Sequence, residues 1–553
     1  MRNYLLALFV IAPILLAFQN SFSQVTQEWE ARYNGAGDST DYSYLFAVDG
    51  SGNVYVTGNS YESETNYDYA TVKYNSSGIP QWVQKYNGPG NSGDYAYSIA
   101  ADDSGNVYVT GYSQGSGTGF DYATIKYNSS GVQQWIQRYN GPGNEIDYAH
   151  SIALDCTGNV YVTGFSSGIG TAYDYATIKY NSTGVEQWVQ RYNGPGNYYD
   201  YAHSIALDDS GYVYVTGFSY GSGTGWDYTT IKYNSSGDSV WVKRYDGPGN
   251  SDDYVGSIVL DDACNVYVTG SSYGNGTGSD YATIKYNSSG VQQWIQRYNG
   301  PGNETDFAHS IASDDSGNVY VTGESFGGGT FSDYTTIKYN SSGDSVWVKR
   351  YNGSGNSEDK AFSIAVDGSG NVYVTGNSYG SGTKYDYATI KYNSSGVQQW
   401  LQRYNGPGDS TDYAFSVAVD GSSNVYVTGY SYGSGTGSDY ATIKYSQSNG
   451  IRQISSIIPE QFSLSQNYPN PFNPVTKINY ELPASRHGGR VTNYAKLVVY
   501  DVTGKEVVTL VNEKQSPGTY QVEYDAGSLT SGVYFYRLTA GDFTDTKRML
   551  LVK

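Results

Sequence analysis

The sequence predicts an all-β chain: an eight-bladed β-propeller with four antiparallel strands in each 53-residue blade, then a small Ig-like β-sandwich. Three observations predict it. Eight tryptophans, Trp29, Trp82, Trp135, Trp188, Trp241, Trp294, Trp347 and Trp400, recur every 53 residues without insertion. Each copy holds four runs rich in Val, Ile, Tyr and Thr that alternate with period two, the pattern of half-buried strands. Beyond the N-terminus no window has helical periodicity. A lone four-stranded sheet of this composition cannot bury both faces. Stacking the sheets around an axis buries both.

Residues 1–24 read as a signal peptide. Arg2 supplies the positive start, Leu5 to Phe18 an apolar run too short to span a bilayer, and Ser21 to Ser23 small residues for cleavage. No later segment could span a membrane.

Residues 25–445 hold the eight repeats. In the third copy, Gln133 to Tyr139 is followed by the turn Asn140 to Gly143, and the strands after it begin near Asp147, Asn159 and Asp174. Gly-rich turns separate the strands and supply the positive φ that hairpins need. Tyr161 and Thr163 should face one neighbouring blade and Val160 and Val162 the other. The eight Trp should form a ring of buried anchors. The last copy lacks a following Trp strand, so either Thr26 to Tyr33 or Arg452 to Ile458 must close the wheel. Residues 446–461 read as a linker. In 462–553, alternating runs such as Lys496 to Tyr500, Thr519 to Tyr524 and Val533 to Leu538 predict a β-sandwich.

The net charge is −20; residues 462–553 balance at +2, so the remainder carries −22. An acidic surface repels phosphate backbones, which excludes nucleic acid as a partner. Cys156 and Cys264 lie in equivalent turns two repeats apart, beyond the reach of a disulfide, and are expected to be free and partly buried.

No catalytic residue and no metal site is predicted. A catalytic acid–base pair needs carboxylates in different environments. Here the recurring Asp positions, as at Asp147, Asp155 and Asp174, are equivalent in all eight copies, which suits turn caps and ion pairs. The Asp-Asp-Ser-Gly-Asn turns invite calcium, yet the second Asp is Gly at Gly50 and Gly368, and a plain turn is the better reading. No cofactor is expected. Hydrolase, phosphate-loop and zinc motifs are missing from the sequence.

Two positions vary between copies. One carries His150, His203 and His309, with Tyr44, Tyr97, Gly256, Phe362 and Phe415 in the others. Tyr97, His150, His203 and His309 are candidates for lining a central channel. The other, just before the loop Asp, carries Tyr67, Phe120, Tyr173, Trp226 and Tyr385, with Ser in three copies. These aromatics should share one rim beside flexible loops, where ring faces suit sugars or a protein surface. Packing on the adjacent blade is the alternative for both positions.

The repeat, with its Asp-x-x-Gly-Asn-Val-Tyr-Val-Thr-Gly core, resembles the bacterial seven-bladed β-propeller repeat family (SBBP). The family name implies seven blades, whereas eight copies stand here. The C-terminal motif Asn467-Tyr468-Pro469-Asn470-Pro471-Phe472-Asn473-Pro474, with Val499 to Lys505 and Leu529 to Tyr536, resembles the type A sorting domain of the type IX secretion system. That resemblance implies contact with the secretion machinery, export across a Gram-negative-type outer membrane, and then removal of the domain with surface attachment or release. The regular repeat, without a catalytic constellation, points to a secreted or surface-attached, non-enzymatic binding or adhesion protein. A monomer with a polysaccharide or protein ligand is expected. The rival readings are a polysaccharide-active enzyme and a structural envelope component.

Overall fold

The computed structural model describes residues 25–36, 38–447, 452–455, 457–484, 493–526 and 529–553. The expected signal peptide and most of the 484–494 loop lie outside them. Val25–Gln447 forms one compact unit, and the residues from 448 onward belong to a second. No helix among the described residues is long and apolar enough to cross a membrane.

The first unit contains eight four-stranded antiparallel sheets. In the first blade β2 (Asp41–Val48), β3 (Val54–Glu62), β4 (Asn66–Tyr74) and β5 (Pro80–Tyr86) lie side by side in chain order. Six further blades repeat this order. The eighth takes its fourth strand from the N-terminus: β1 (Val25–Tyr33) pairs with Ser438–Gln447, from Val25 opposite Gln447 to Tyr33 opposite Tyr440. The first of the two closure alternatives is therefore the one observed. Arg452–Ser455 pairs instead with Gly518–Asp525 in the second unit. Within the expected 446–461 linker, Ser446 and Gln447 extend a blade strand and Arg452–Ser455 pairs in the second unit.

The Val and Tyr alternation works as the pattern requires. Val160 and Val162 pack with Tyr108 and Tyr122 of the preceding blade, while Tyr161 packs with Ala202 and Ile205 of the next. A second tyrosine, in the third strand, crosses each boundary with its hydroxyl. Tyr122 donates to the Ala176 carbonyl at 3.1 Å, and the series ends where Tyr440 donates to Ala70 at 3.2 Å across the seam. These groups are fully buried, so an unpaired hydroxyl would be costly; pairing each one turns the repeat's high Tyr content into a closed belt.

The tryptophans correct the sequence reading. Six of the eight are only half-buried, because they sit on the outermost strand. Each works as a clamp. Trp82 donates its indole N–H to the Ser129 carbonyl in the next blade's turn at 3.2 Å. Gly131 in that turn has φ +81°, and a Cβ there would meet the Trp82 ring at 2.8 Å, so only glycine fits. Cys156 is exposed rather than partly buried, and both cysteines are free.

The second unit has two four-stranded sheets. One joins Arg452–Ser455, Gly518–Asp525, Val475–Leu482 and Ser463–Leu464; the other joins Glu506–Gln515, Asn493–Tyr500, Gly532–Ala540 and Phe543–Leu551. They share a core that includes Ile478, Leu497, Val522, Tyr536 and Met549.

Candidate ligand-binding face

The innermost strand of each blade begins at the channel mouth where the second strand ends and the third starts. All the variable positions named above cluster there. In every blade the innermost strand carries a β-bulge, at Tyr44 between Ser43 and Leu45 in β2, and at Tyr97, His150, His203 and His309 further on. A bulge leaves the extra residue out of the ladder and re-aims its side chain. These residues form a ring. Tyr44 stacks on Tyr97 at 5.5 Å, Tyr97 meets His150 at 5.4 Å, and His150 meets His203 at 5.8 Å. His309 meets Phe362 at 5.3 Å, Phe362 meets Phe415 at 5.2 Å, and Phe415 returns to Tyr44 at 5.7 Å. The ring is interrupted at Gly256, where a Cβ would lie 2.5 Å from the Ala308 carbonyl oxygen, so the backbone itself keeps a side chain out.

Burial among these rings, with a smaller contribution from His203, pushes His150 down to about 3. His203 is lowered as well, by desolvation in the crowded ring and then by His309, although its side chain is more exposed than that of His150. Both are neutral at pH 7 and act as uncharged aromatic rings rather than cations.

The rim residues Tyr67, Phe120, Tyr173, Trp226 and Tyr385 are half-buried at the start of their strands. They do not stand apart from the channel. Trp226 lies 5.3 Å from both Tyr201 and Phe218, Phe120 lies 5.2 Å from Tyr112, and Tyr385 lies 5.5 Å from Tyr413. Tyr112 in turn stacks on Tyr148 of the next blade at 3.8 Å and contacts Tyr97 of the ring at 5.6 Å. A continuous arc of aromatic rings thus runs from rim to channel over the eighth blade and the first four. Its inter-blade links, such as Phe165–Tyr201 at 4.6 Å and Phe218–Tyr254 at 5.1 Å, come from second-strand positions that sequence reasoning did not single out.

One open cleft of about 270 Å³ lies on this arc, lined by Gly143, Glu145, Ser167, Thr171, Tyr173 and Tyr199, among others. The Tyr173 and Tyr199 rings are 5.2 Å apart and tilted by 37°.

The arc ends where the fifth to seventh blades change chemistry. Glu324 occupies the position of Tyr112, Phe165 and Phe218, and Lys360 that of Tyr148, Tyr201 and Tyr254. An ion pair of 3.1 Å between them replaces the stacked rings. His309 Nε2 lies 3.6 Å from the other Glu324 oxygen, and Glu358 lies 3.7 Å from the Lys360 ammonium. The signal for this cluster was present in the sequence as one basic and one acidic departure: Lys360 stands where the other seven copies carry Tyr or Phe, and Glu324 at a position shared by Tyr, Phe, Asn and Ser. The 35 residues between them, on different blades, conceal the pairing.

Elsewhere the carboxylates are committed to structure. Asp121 accepts from Arg138 at 2.8 Å, and this pairing recurs in seven blades; the first has Lys85 there instead. Asp49 accepts from the Ser51 and Asn53 amides, the Asn53 side chain and the Tyr55 hydroxyl, which occupies both of its oxygens within its own turn. Among the described residues one group of three carboxylates, Asp227, Asp246 and Asp253, lies close enough to share an ion, and Arg244 already reaches Asp227 at 2.6 Å.

In the second unit the sorting motif forms a pinned corner. Asn467 is buried; its amide donates to the Tyr536 hydroxyl at 2.7 Å and its side chain to Pro469 and Thr476. Asn470 accepts from the Leu550 amide at 2.9 Å, and Phe472 enters the core. Pro469 and Pro471 follow cis peptide bonds, Pro474 accepts from the Ala526 amide at 2.9 Å, and Asn473 is exposed.

Among family models, "Beta-propeller repeat" (SBBP) matches seven segments, 31–63, 81–117, 134–170, 187–223, 293–328, 346–382 and 399–435. "Secretion system C-terminal sorting domain" (Por_Secre_tail) matches 466–553. No curated protein sequence matches the chain. Solved structures similar to it include the Synechocystis apocarotenoid oxygenase (8% identity, 69% of this chain and 95% of that one, TM-score 0.36). Another is a bifunctional GH43-CE protein from Bacteroides eggerthii (8% identity, 81% and 69%, TM-score 0.27). Likeness at this level carries no functional argument. The chain is a secreted or cell-surface β-propeller built from SBBP repeats, and it carries a C-terminal sorting domain of the type IX secretion system.

Proposed function

We propose that this is a non-enzymatic, monomeric binding protein that holds glycan on the aromatic face of its propeller. The Tyr173–Tyr199 cleft carries this reading. The accessible lining of the cleft is mostly polar, so a sugar is held there mainly through its hydroxyls, with the two tyrosine rings as one wall. Glu145, Ser167 and Thr171 stand beside them to accept or donate to its hydroxyls. The cleft holds one carboxylate, whereas glycoside hydrolysis uses two. The arc extends the platform to Trp226 and Phe120, which suits a chain of several sugar units, each held weakly.

An array of plant, bacterial and animal glycans, followed by calorimetry on the best ligand, tests this. Tyr199→Ala and Trp226→Ala should each weaken binding about tenfold, the loss expected of one stacking ring worth about 1.4 kcal/mol. No glycan bound by the wild type would overturn the reading. Release of reducing ends during the assay would replace it with an enzyme.

A further inference from the structure

The loops around the aromatic face are acidic. Eight lead into the innermost strands, and eight join second strands to third. Together they hold eight carboxylates, among them Glu145, Asp252 and Glu304, and a single base, Lys384 of the seventh blade. Several acidic groups on this face are neutralised within the fold: Glu62 by Lys85, and Glu324 and Glu358 by Lys360. Glu145 is not. It is exposed and lines the Tyr173–Tyr199 cleft, whose lining contains no lysine or arginine. Its side-chain partner among the described residues is the Ser167 hydroxyl, which donates at 3.4 Å. The backbone that presents it is fixed, because a Cβ on Gly119 in the second blade's loop would collide with the Glu145 carbonyl oxygen. The sixth blade carries Glu304 at the equivalent position, but there Ser332 replaces the aromatic wall. In the third blade, then, an accessible and uncompensated carboxylate opens into a cleft with aromatic rings on one side.

We propose that this cleft recognises an amino sugar, a hexosamine unit with a free, protonated amine, in a polymer whose other units lie along the aromatic arc. The proposal rests on the glycan reading above. The ammonium donates to Glu145, a charge-assisted bond that a neutral hydroxyl does not match. The sugar hydroxyls beside the amine pair with Thr171 and with the phenols of Tyr173 and Tyr199. An N-acetyl group in place of the ammonium removes the charge and sets a methyl against the carboxylate. The field of the whole propeller acts in the same direction: the chain before residue 462 balances at −22, which draws a polycation and repels uronic or sulfated units.

The test uses the mature chain in calorimetry at pH 5.5, where the amines are protonated. The probes are the hexamer of glucosamine, the hexamer of N-acetylglucosamine and hexalysine. The wild type should bind the glucosamine hexamer at least about tenfold more tightly than either of the others. Glu145→Gln, an exposed change whose folding a thermal melt confirms, should abolish that preference and leave affinity for the N-acetylated hexamer within about twofold. Glu304→Gln, the equivalent change outside the cleft, should keep the preference. Equal binding of the two saccharides, or a preference that survives Glu145→Gln, overturns the amine subsite; if Tyr199→Ala still weakens binding, the glycan reading stands. Hexalysine bound as tightly as the glucosamine hexamer also overturns the subsite, because charge alone then suffices. Neither hexamer bound by the wild type overturns it as well, and the glycan reading falls with it if the glycan array is also blank.

Discussion

At the residue scale, one hydroxyl per blade ties the wheel together. Tyr122 is fully buried, and its ring packs between two blades whatever its para substituent. Phe at this position would keep the packing and remove one hydrogen bond to Ala176. Net hydrogen-bond contributions run near 1 kcal/mol, and the stranded carbonyl adds some desolvation cost, so Tyr122→Phe should lower unfolding free energy by about 1–2 kcal/mol. Tyr440→Phe should lose the same amount, because its bond to Ala70 has the same length class although 370 residues separate the partners. Urea unfolding of the two variants checks this. A much smaller loss for Tyr440→Phe would mean that the seam is looser than the other seven boundaries.

At the element scale, the question is whether β1 is a full blade strand. Arg32 in β1 donates to Asp439 at 2.9 Å, to Ser431 and to the Tyr404 hydroxyl of the seventh blade, the same set that Arg138 makes with Asp121 and Ser113 of the second blade and Tyr86 of the first. Asp439 is buried, so removing its cation strands a charge, at a cost of about 3 kcal/mol. Arg32→Met and Arg138→Met should therefore destabilise equally in a thermal or urea melt. An Arg32→Met chain that melts like the wild type would show that the N-terminal strand is not holding the ring. The constant 53-residue spacing made the blades, their four strands and the closure alternatives legible. It could not choose between the alternatives, because β1 and Arg452–Ser455 are both short alternating runs and only the three-dimensional register separates them. The bulge that aims His150 into the channel was likewise hidden, since a bulge is one residue of misalignment between two strands. The rim residues were legible because they vary where the repeat is otherwise constant. Their union with Tyr112, Phe165 and Phe218 depends on contacts between blades and was not.

At the scale of the molecule, the eightfold repetition amplifies a property that would be minor in one copy. The first residue of every innermost strand is a buried Asp: Asp41, Asp94, Asp147, Asp200, Asp253, Asp306, Asp359 and Asp412. Burial raises the pKa of each, to about 6 for Asp200 and Asp253, against opposing hydrogen bonds from backbone amides and serines. A carboxyl whose folded pKa exceeds its unfolded value binds more protons in the folded chain. Its effect therefore favours folding at low pH and is lost as pH rises through the folded value. His150 and His203 act oppositely: their folded values are depressed, so stability falls as pH drops below the ordinary histidine range near 6.5. Glu324, Asp49, Asp155 and Asp261 are also depressed, and they withdraw stability only as pH falls below the carboxylate range. Eight sites of the first kind oppose two of the second, and relief of the −20 net charge as pH falls adds to the eight. The urea midpoint should therefore be higher at pH 5 than at pH 7.5, and it should fall again below about pH 4 as the depressed carboxylates protonate. A midpoint that rises steadily from pH 5 to 7.5 would mean that the histidines dominate and that the eight aspartates are better solvated than their burial implies. Asp253→Asn separates these cases, because it removes one raised carboxyl from the boundary where Asp227 and Asp246 stand closest; it should flatten the pH dependence while lowering the midpoint at every pH, since only one of the Gly247 and Tyr273 amides keeps its acceptor.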